Sequence, residues 1–443
     1  MNENVSVDTP REDYTVHLER AFLMSVALPN RPWISEDPLD EIRGLAATAG
    51  ATVTGGLTQR RQDIHPGTYI GKGKLEELKH HVEATESDVV IFDNDLTPAQ
   101  VRNLEKATGV KVLDRSEVIL DIFATRARTA EARLQVELAQ LEYSLPRLKQ
   151  MWTHLSRYGG GTIGLRGPGE TQLEEDRRLV AFRIRDLKER LRVVQARKAR
   201  EVASRQAEDT VSLVGYTNAG KSTLMNALTG AGVKAENKLF STLDTRTRQW
   251  HLPEWGKVLL SDTVGFIRDL PHDLVASFKA TLEEARQAKL LLHVVDAGNP
   301  TAEDQIKAVD AVLEELGCAD KPSILVLNKI DRLKDPTTLD ILLNRHPLAI
   351  PVSAVNRQGL EELREAVITM LSRDFVDIEV DLSSGNGKML AYLSANADIY
   401  RQEYNEDRVK VWCALPRHLI HHVETDDVQV QVRESHNNSN GHH

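Results

Sequence analysis

The chain has 443 residues, 41% hydrophobic and 28% charged, which exclude a single ordinary domain and a disordered chain alike. No apolar run approaches the ~20 residues of a bilayer-spanning helix, residues 1–14 lack a signal-peptide layout, and Cys318 and Cys413 make no disulfide framework, so a cytoplasmic protein is expected. The net charge of −10 is uneven: residues 126–205 hold 18 Lys and Arg against 10 Asp and Glu, which points that segment at a polyanion.

Residues 1–125 alternate apolar runs with amphipathic stretches. Strands are predicted over 21–28, 51–54 and 88–92, and helices over 37–49, 74–84 and 98–108. This reads as an α/β domain with a largely parallel sheet. Residues 126–206 change character. Leu134, Leu138, Leu141, Leu145 and Leu148 form one narrow helical stripe, and Leu173, Val180, Ile184, Leu187, Leu191 and Val194 another. Two such stripes predict an antiparallel two-helix hairpin. Between them, residues 158–169 contain six glycines and a proline, which predicts a loop at the hairpin tip. Residues 207–373 have a βαβ rhythm, with strands predicted over 211–214, 258–260, 290–295, 324–327 and 349–352. Residues 374–434 predict a small acidic α+β domain: strands over 376–382, 408–415 and 428–432, and a helix over 388–400. Residues 435–443 are a polar tail.

Four short motifs occur in order within residues 207–373. Gly215-Tyr216-Thr217-Asn218-Ala219-Gly220-Lys221-Ser222-Thr223 follows an apolar strand and opens a helix, the context a phosphate loop requires. Its glycines let successive N–H groups face the phosphates, Lys221 reaches the β- and γ-phosphates, and the Ser222 hydroxyl binds Mg²⁺. Asp262-Thr263-Val264-Gly265 supplies a carboxylate for Mg²⁺ and an N–H that senses the γ-phosphate. Asn328-Lys329-Ile-Asp331 selects the base: the Asp331 carboxylate accepts two hydrogen bonds from guanine N–H groups, where adenine offers no matching pair. Ser353-Ala354 is expected to offer backbone N–H to the guanine carbonyl. The set predicts binding of GTP and GDP and hydrolysis of GTP, with Lys221 and Gly265 in catalytic roles. A switch threonine should lie between the phosphate loop and Asp262, where Thr242, Thr245 and Thr247 are candidates. The residue after Gly265 is Phe266, where Ras-like enzymes carry a water-orienting glutamine. Slow hydrolysis by the isolated protein follows. Asn218 makes K⁺ a further candidate cofactor.

The stretch Gly159-Gly160-Gly161-Thr-Ile-Gly-Leu-Arg166-Gly167-Pro-Gly-Glu-Thr-Gln-Leu-Glu174, followed by Asp176-Arg177-Arg178, resembles the signature of the HflX family of translational GTPases. Residues 68–78 and Phe240-Ser-Thr242-Leu-Asp244 resemble further segments of that family. The resemblance implies that Thr242 is the switch threonine and an Mg²⁺ ligand. It also implies a monomeric partner of the large ribosomal subunit that separates stalled ribosomes. Gly160, Gly161, Arg166, Gly167, Arg177 and Arg178 then become candidate contacts to ribosomal RNA, since glycines permit close approach and arginines pair with phosphate. Two other roles fit the same residues: a GTPase that assembles the large subunit, and an RNA-remodelling ATPase with a regulatory GTPase domain. Gly71-Lys-Gly73-Lys74 lacks a full phosphate loop and reads as a strand-to-helix turn. The His80-His81, His421-His422 and His442-His443 pairs form no zinc constellation.

Overall fold

The structure, a computed structural model, describes residues 19–33, 36–152, 168–203, 209–230, 239–240, 245–253, 255–268, 283–333, 335–372, 375–405, 407–416, 420–423 and 428–432. The chain forms two compact units, Met1–His251 with Lys257–Leu360, and Leu252–Gly256 with Glu361–His443.

The first unit opens with β1 (Arg20–Ala27), α1 (Asp40–Ala49), β2 (Thr52–Arg60), α2 (Lys72–Ala84), β3 (Val89–Phe92), α3 (Pro98–Thr108), β4 (Lys111–Leu113) and α4 (Arg115–Arg126). The four strands make a parallel sheet in the order β2-β1-β3-β4. Alternate residues of β1 enter two cores. Ala21 and Leu23 pack with α1 and α4, while Phe22, Met24 and Val26 pack with α2 and α3. A parallel sheet needs both faces covered, which is why β1 and β3 are nearly unbroken apolar runs. Gly71 caps α2, so the Gly71–Lys74 segment is the turn into a helix.

β4 and α4 lie beyond the predicted elements. The sequence signal for α4 is a capping box: Asp114 accepts from the Glu117 N–H at 2.9 Å, and Glu117 accepts from the Asp114 N–H at 3.2 Å. Asp114 is fully buried and also accepts from Tyr143 Oη at 2.5 Å and Arg147 at 2.7 Å. Burial pushes its pKa up to about 6, against the pull of Arg147. Arg147 thus ties the next helix to α4. Arg147→Ala should cost about 3 kcal/mol, because it strands a buried carboxylate. The loss should shrink below pH 6, where a protonated Asp114 needs no cation. Urea midpoints at two pH values measure both effects, and equal midpoints for parent and variant would contradict them.

α5 (Ala130–Trp152) and α6 (Pro168–Ala203) are the two long helices. Leu138, Leu187 and Leu191 are buried between them, with Leu134, Leu141 and Ile184 packed alongside. Ion pairs Arg183–Glu137 and Lys188–Glu142, both 2.7 Å, flank the seam. Of the predicted tip loop, residues 158–167 lie outside the described residues. Pro168 and Gly169 belong to the first turn of α6 instead, where a proline's missing N–H costs nothing.

A six-stranded, mostly parallel sheet follows, in the order β10-β9-β8-β5-β7-β6. Its strands are β5 (Asp209–Gly215), β6 (Arg246–Leu252), β7 (Gly256–Asp262), β8 (Leu290–Asp296), β9 (Ser323–Asn328) and β10 (Ile350–Pro351). Its helices are α7 (Lys221–Thr229), α8 (Glu283–Gln287), α9 (Ala302–Glu315) and α10 (Pro336–Arg345); α11 (Leu360–Ser372) opens the second unit. β6 was hidden by its polar composition; as an edge strand it buries only Trp250 and Leu252. Val214, Tyr216, Val264 and Phe266 join the core that already holds Leu23, α1 and α4. The nucleotide loops and the N-terminal sheet therefore share one apolar core.

The second unit contains an antiparallel sheet in the order β12-β13-β11-β14: β11 (Phe375–Ser383), β12 (Asp398–Asn405), β13 (Arg408–Pro416) and β14 (Val428–Val432). α12 (Gly387–Asn396) covers one face through Leu393. The helix predicted over 388–400 is corrected here. It stops at Asn396, and Asp398 and Ile399 pair with Ala414 and Cys413 of β13. Cross-strand pairing outweighs local helix preference. A short helix, α13 (Ile420–Val423), precedes β14.

Candidate functional site

β5 delivers Gly215 to the carboxyl edge of the sheet, and α7 begins at Lys221. Between them, glycine is obligatory twice. Gly215 has φ +145°, and a Cβ there would lie 2.1 Å from the Val294 carbonyl oxygen. Gly220 has φ +96°, and a Cβ would lie 2.3 Å from Asn328 Nδ2. Ala219 and Thr217 are buried, Thr223 is half-buried in the first turn of α7, and Asn218 adopts a left-handed φ of 61°.

Lys221 is buried, and its Nζ donates to the carbonyls of Gly215 and Tyr216, both at 2.9 Å. Burial pulls its pKa down to about 8; Asp262 raises it and Lys329 lowers it. A phosphate beside the ammonium restores the charged form, so binding takes up a proton above that pKa. GTP affinity should therefore fall as pH rises from 7 to 9, with the bend near 8. Fluorescent GTP titrations across that range measure it; a flat profile would contradict it.

β7 ends at Asp262, whose Oδ2 accepts from the Ser222 hydroxyl at 2.6 Å. These hard oxygen donors, Asp262 buried and Ser222 half-buried beside the phosphate loop, fit Mg²⁺, which they would hold together. Mg²⁺ would neutralise charge on the β- and γ-phosphates. Thr263 anchors the strand end by donating to the Leu213 carbonyl at 2.7 Å, and Val264 is buried. Gly265 lies directly on the phosphate loop: a Cβ would meet Thr217 Cα at 2.7 Å and Lys221 Nζ at 3.1 Å. Phe266 adds a step to the sheet, donating to the Gly215 carbonyl at 3.1 Å and accepting from the Thr217 N–H at 2.6 Å. Its ring is buried in the shared core, away from any water.

On the base side, Asn328 braces two loops. Its Nδ2 donates to the Ala219 carbonyl at 2.9 Å, and its Oδ1 accepts from the Ala354 N–H at 3.2 Å. Lys329 donates to the Asn218 carbonyl at 2.7 Å and pairs with Asp296 at 2.8 Å. Asp331 is exposed, and its Oδ1 accepts from the Ser353 hydroxyl at 2.5 Å, which fixes the carboxylate's direction. The two N–H groups predicted to meet a guanine carbonyl have partners within the protein: Ser353 donates to Gln358 at 3.0 Å, and Ala354 to Asn328.

Thr242 lies outside the described residues, as do Gly160, Gly161, Arg166 and Gly167. Thr245 and Thr247 donate to the two carboxylate oxygens of Glu284, at 2.9 and 3.4 Å. Phe240, two residues before Thr242, donates its N–H to Thr217 Oγ1 at 2.7 Å and packs edge-on against Phe123 of α4, 4.6 Å between centroids. Arg177 and Arg178 sit on α6, half-buried and exposed respectively.

Sequence reasoning missed what the N-terminal sheet brings to this site. Tyr216 of the phosphate loop donates to Glu41 of α1 at 3.0 Å, and Arg268, three residues after Gly265, faces Glu41 and Asp93. No local motif could have revealed pairs separated by 175 positions.

A phosphate loop between the central strand and its helix, with Asp262, Gly265 and the Asn328–Asp331 set around it, defines a P-loop GTPase, a hydrolase of GTP. Three family models match: "GTP-binding GTPase N-terminal" over residues 36–124, "GTP-binding GTPase Middle Region" over 126–205 and "50S ribosome-binding GTPase" over 210–329. The chain is 47% identical to GTPase HflX of Caldanaerobacter subterraneus, spanning 89% of this chain and 90% of that one. With GTPase HflX of Escherichia coli it shares 46% identity over 84% of this chain and 88% of that one. The chain belongs to the HflX family of GTPases. A solved GTP-binding protein from the archaeon Sulfolobus solfataricus, in complex with GDP, is 26% identical over 80% of this chain and 99% of that chain, with a TM-score of 0.43. Among the described residues no helix is long and apolar enough to cross a membrane.

Proposed function

We propose that the protein is a GTP-driven switch that binds the large ribosomal subunit and separates the subunits of stalled ribosomes. The observation that carries this reading is the bonding of Phe266 to the phosphate loop at Gly215 and Thr217, with its ring in the core shared with the N-terminal sheet. A γ-phosphate that reorients Gly265 must shift Phe266, and the N-terminal sheet and its attached helices respond. In this reading Lys221, Gly265 and Thr242 carry the phosphate-dependent steps, Ser222, Asp262 and Thr242 hold Mg²⁺, and Asp331 selects guanine. Hydrolysis is slow without a partner, because Phe266 offers water nothing to bond.

The basic pair α5 and α6 is the surface that meets ribosomal RNA. In support, α6 exposes Arg178 and Arg185 beside Leu179 and Phe182, each of the latter 64% exposed. Charge with bare apolar side chains suits phosphate pairing and stacking. The matched model's description, a 50S ribosome-binding GTPase, agrees with this partner.

Sedimentation of intact ribosomes with the protein and a non-hydrolysable GTP analogue tests the reading. Free subunits are expected. Binding to isolated large subunits, with intact ribosomes left whole, would replace it with an assembly role. Comparing hydrolysis in K⁺ and Na⁺ tests Asn218 as a monovalent-cation ligand, and equal rates would remove that role.

A further inference from the structure

Phe266 leaves the reaction without a polar side chain at the water-orienting position, yet a guanidinium lies two residues further on. Glu41 and Asp93, both from the N-terminal sheet layer, hold two arginines at once. Arg115 is fully buried and donates to Asp93 Oδ1 at 2.6 Å, to Glu41 Oε1 and to the Arg268 carbonyl at 2.9 Å. Burial alone would lower its pKa, but the charges of Glu41 and Asp93 outweigh that and raise it. Arg268 faces the same two carboxylates at longer range, 3.4 Å from Asp93 Oδ2 and 3.9 Å from Glu41 Oε2, with its side chain 20% exposed.

The Arg268 backbone is nevertheless pinned to the phosphate loop. Its N–H donates to Tyr216 Oη at 2.8 Å, and that hydroxyl donates to Glu41. A cavity of about 750 Å³ opens between these groups, lined by Tyr216, Thr217, Asn218, Glu41, Asp296 and Arg268 among others. Arg268 is the one basic side chain among the described residues that line it.

We propose that Arg268 is a catalytic cation for GTP hydrolysis carried in cis, stored by Glu41 and Asp93 and delivered across this cavity to the γ-phosphate when that contact opens. The proposal rests on the phosphate-site reading above. Of the two arginines Arg268 is the one that reaches the surface of the cavity, whereas Arg115 is fully buried and closely bonded and stays behind to neutralise the carboxylates. The Tyr216 tether keeps the Arg268 backbone beside the loop while the side chain swings. In hydrolysis the water oxygen forms a bond to Pγ and the bond from Pγ to the β,γ-bridging oxygen breaks. GDP takes the electron pair, and the water's proton ends on phosphate or solvent. Arg268 stays protonated and neutralises charge on the γ oxygens, which glutamine-lacking sites must obtain elsewhere.

Two measurements on the full chain test this. The first is single-turnover GTP hydrolysis. Glu41→Gln loosens the store while leaving an oxygen for Arg115, and should raise the rate by about tenfold or more, a fraction of what an arginine finger supplies. Adding Arg268→Ala should erase that gain. A double variant as fast as Glu41→Gln alone would overturn the proposal, since loosening rather than the guanidinium would then be the cause. The second needs no disturbance of Arg115: Arg268→Ala should weaken binding of GDP with aluminium fluoride by about tenfold, and binding of GDP alone by about twofold at most. Equal effects on both ligands would overturn it. If fluorescent GDP and GTP fail to bind the parent protein, the phosphate-site reading fails instead, which separates the two.

Discussion

Asp331→Asn is expected to exchange guanine for xanthine specificity. In the proposed reading the carboxylate accepts from two guanine N–H groups, and an amide turns one acceptor into a donor that faces a donor. GTP affinity should fall by about 10³-fold, on the scale set when a buried polar pairing is left unmade. Xanthine carries a carbonyl where guanine carries its amino group, so xanthosine triphosphate should bind the variant with an affinity within about tenfold of that of the parent for GTP. The fold should be undisturbed, because Asp331 is exposed and an asparagine oxygen still accepts from the Ser353 hydroxyl. Competition between the two triphosphates for one fluorescent probe measures the exchange. Retained GTP preference would show that the base lies elsewhere.

Lys221→Met is expected to separate stability from function. The side chain is buried and donates to two phosphate-loop carbonyls, and burial depresses its pKa to about 8. A folded-state pKa below the unfolded value means that folding disfavours the ammonium, and this penalty is present below pH 8 and fades as pH rises toward the unfolded value. Methionine removes the penalty, so the nucleotide-free variant should gain about 1 kcal/mol at pH 7, after allowance for the two lost hydrogen bonds. GTP binding should weaken by about 100-fold, because the β- and γ-phosphates lose their charge partner. Thermal unfolding without nucleotide and a GTP titration read the two effects on one sample. A variant that both unfolds earlier and binds GTP normally would contradict each half.

The loops that hold these two residues were legible in the sequence because each is a short contiguous segment. A phosphate loop is a run of consecutive residues whose glycines, lysine and serine act within a single strand-to-helix turn, and Asn328–Asp331 is equally compact. The apolar runs of β1, β3, β5 and β8 were legible for a related reason: strands buried on both faces need no pattern beyond being apolar. β6 was not, because an edge strand buries few side chains and reads as polar. α4 was missed although its capping box is explicit, and the helix predicted to 400 overran, since pairing of Asp398 and Ile399 with β13 is a contact between distant residues.

The sequence by itself determined the class of enzyme, a hydrolase of GTP, because its motifs are short contiguous segments, and Phe266 announced a missing hydrogen-bonding group. Only the tertiary structure decided what surrounds that gap. Glu41, Asp93, Arg115 and Arg268 come from four separate segments, and a charge network that joins residues as far apart as Glu41 and Arg268 exists only once the N-terminal sheet and the nucleotide loops bury one common core. Local chemistry is written along the chain; the storage of a cation beside the phosphate loop depends on which surfaces fold against each other.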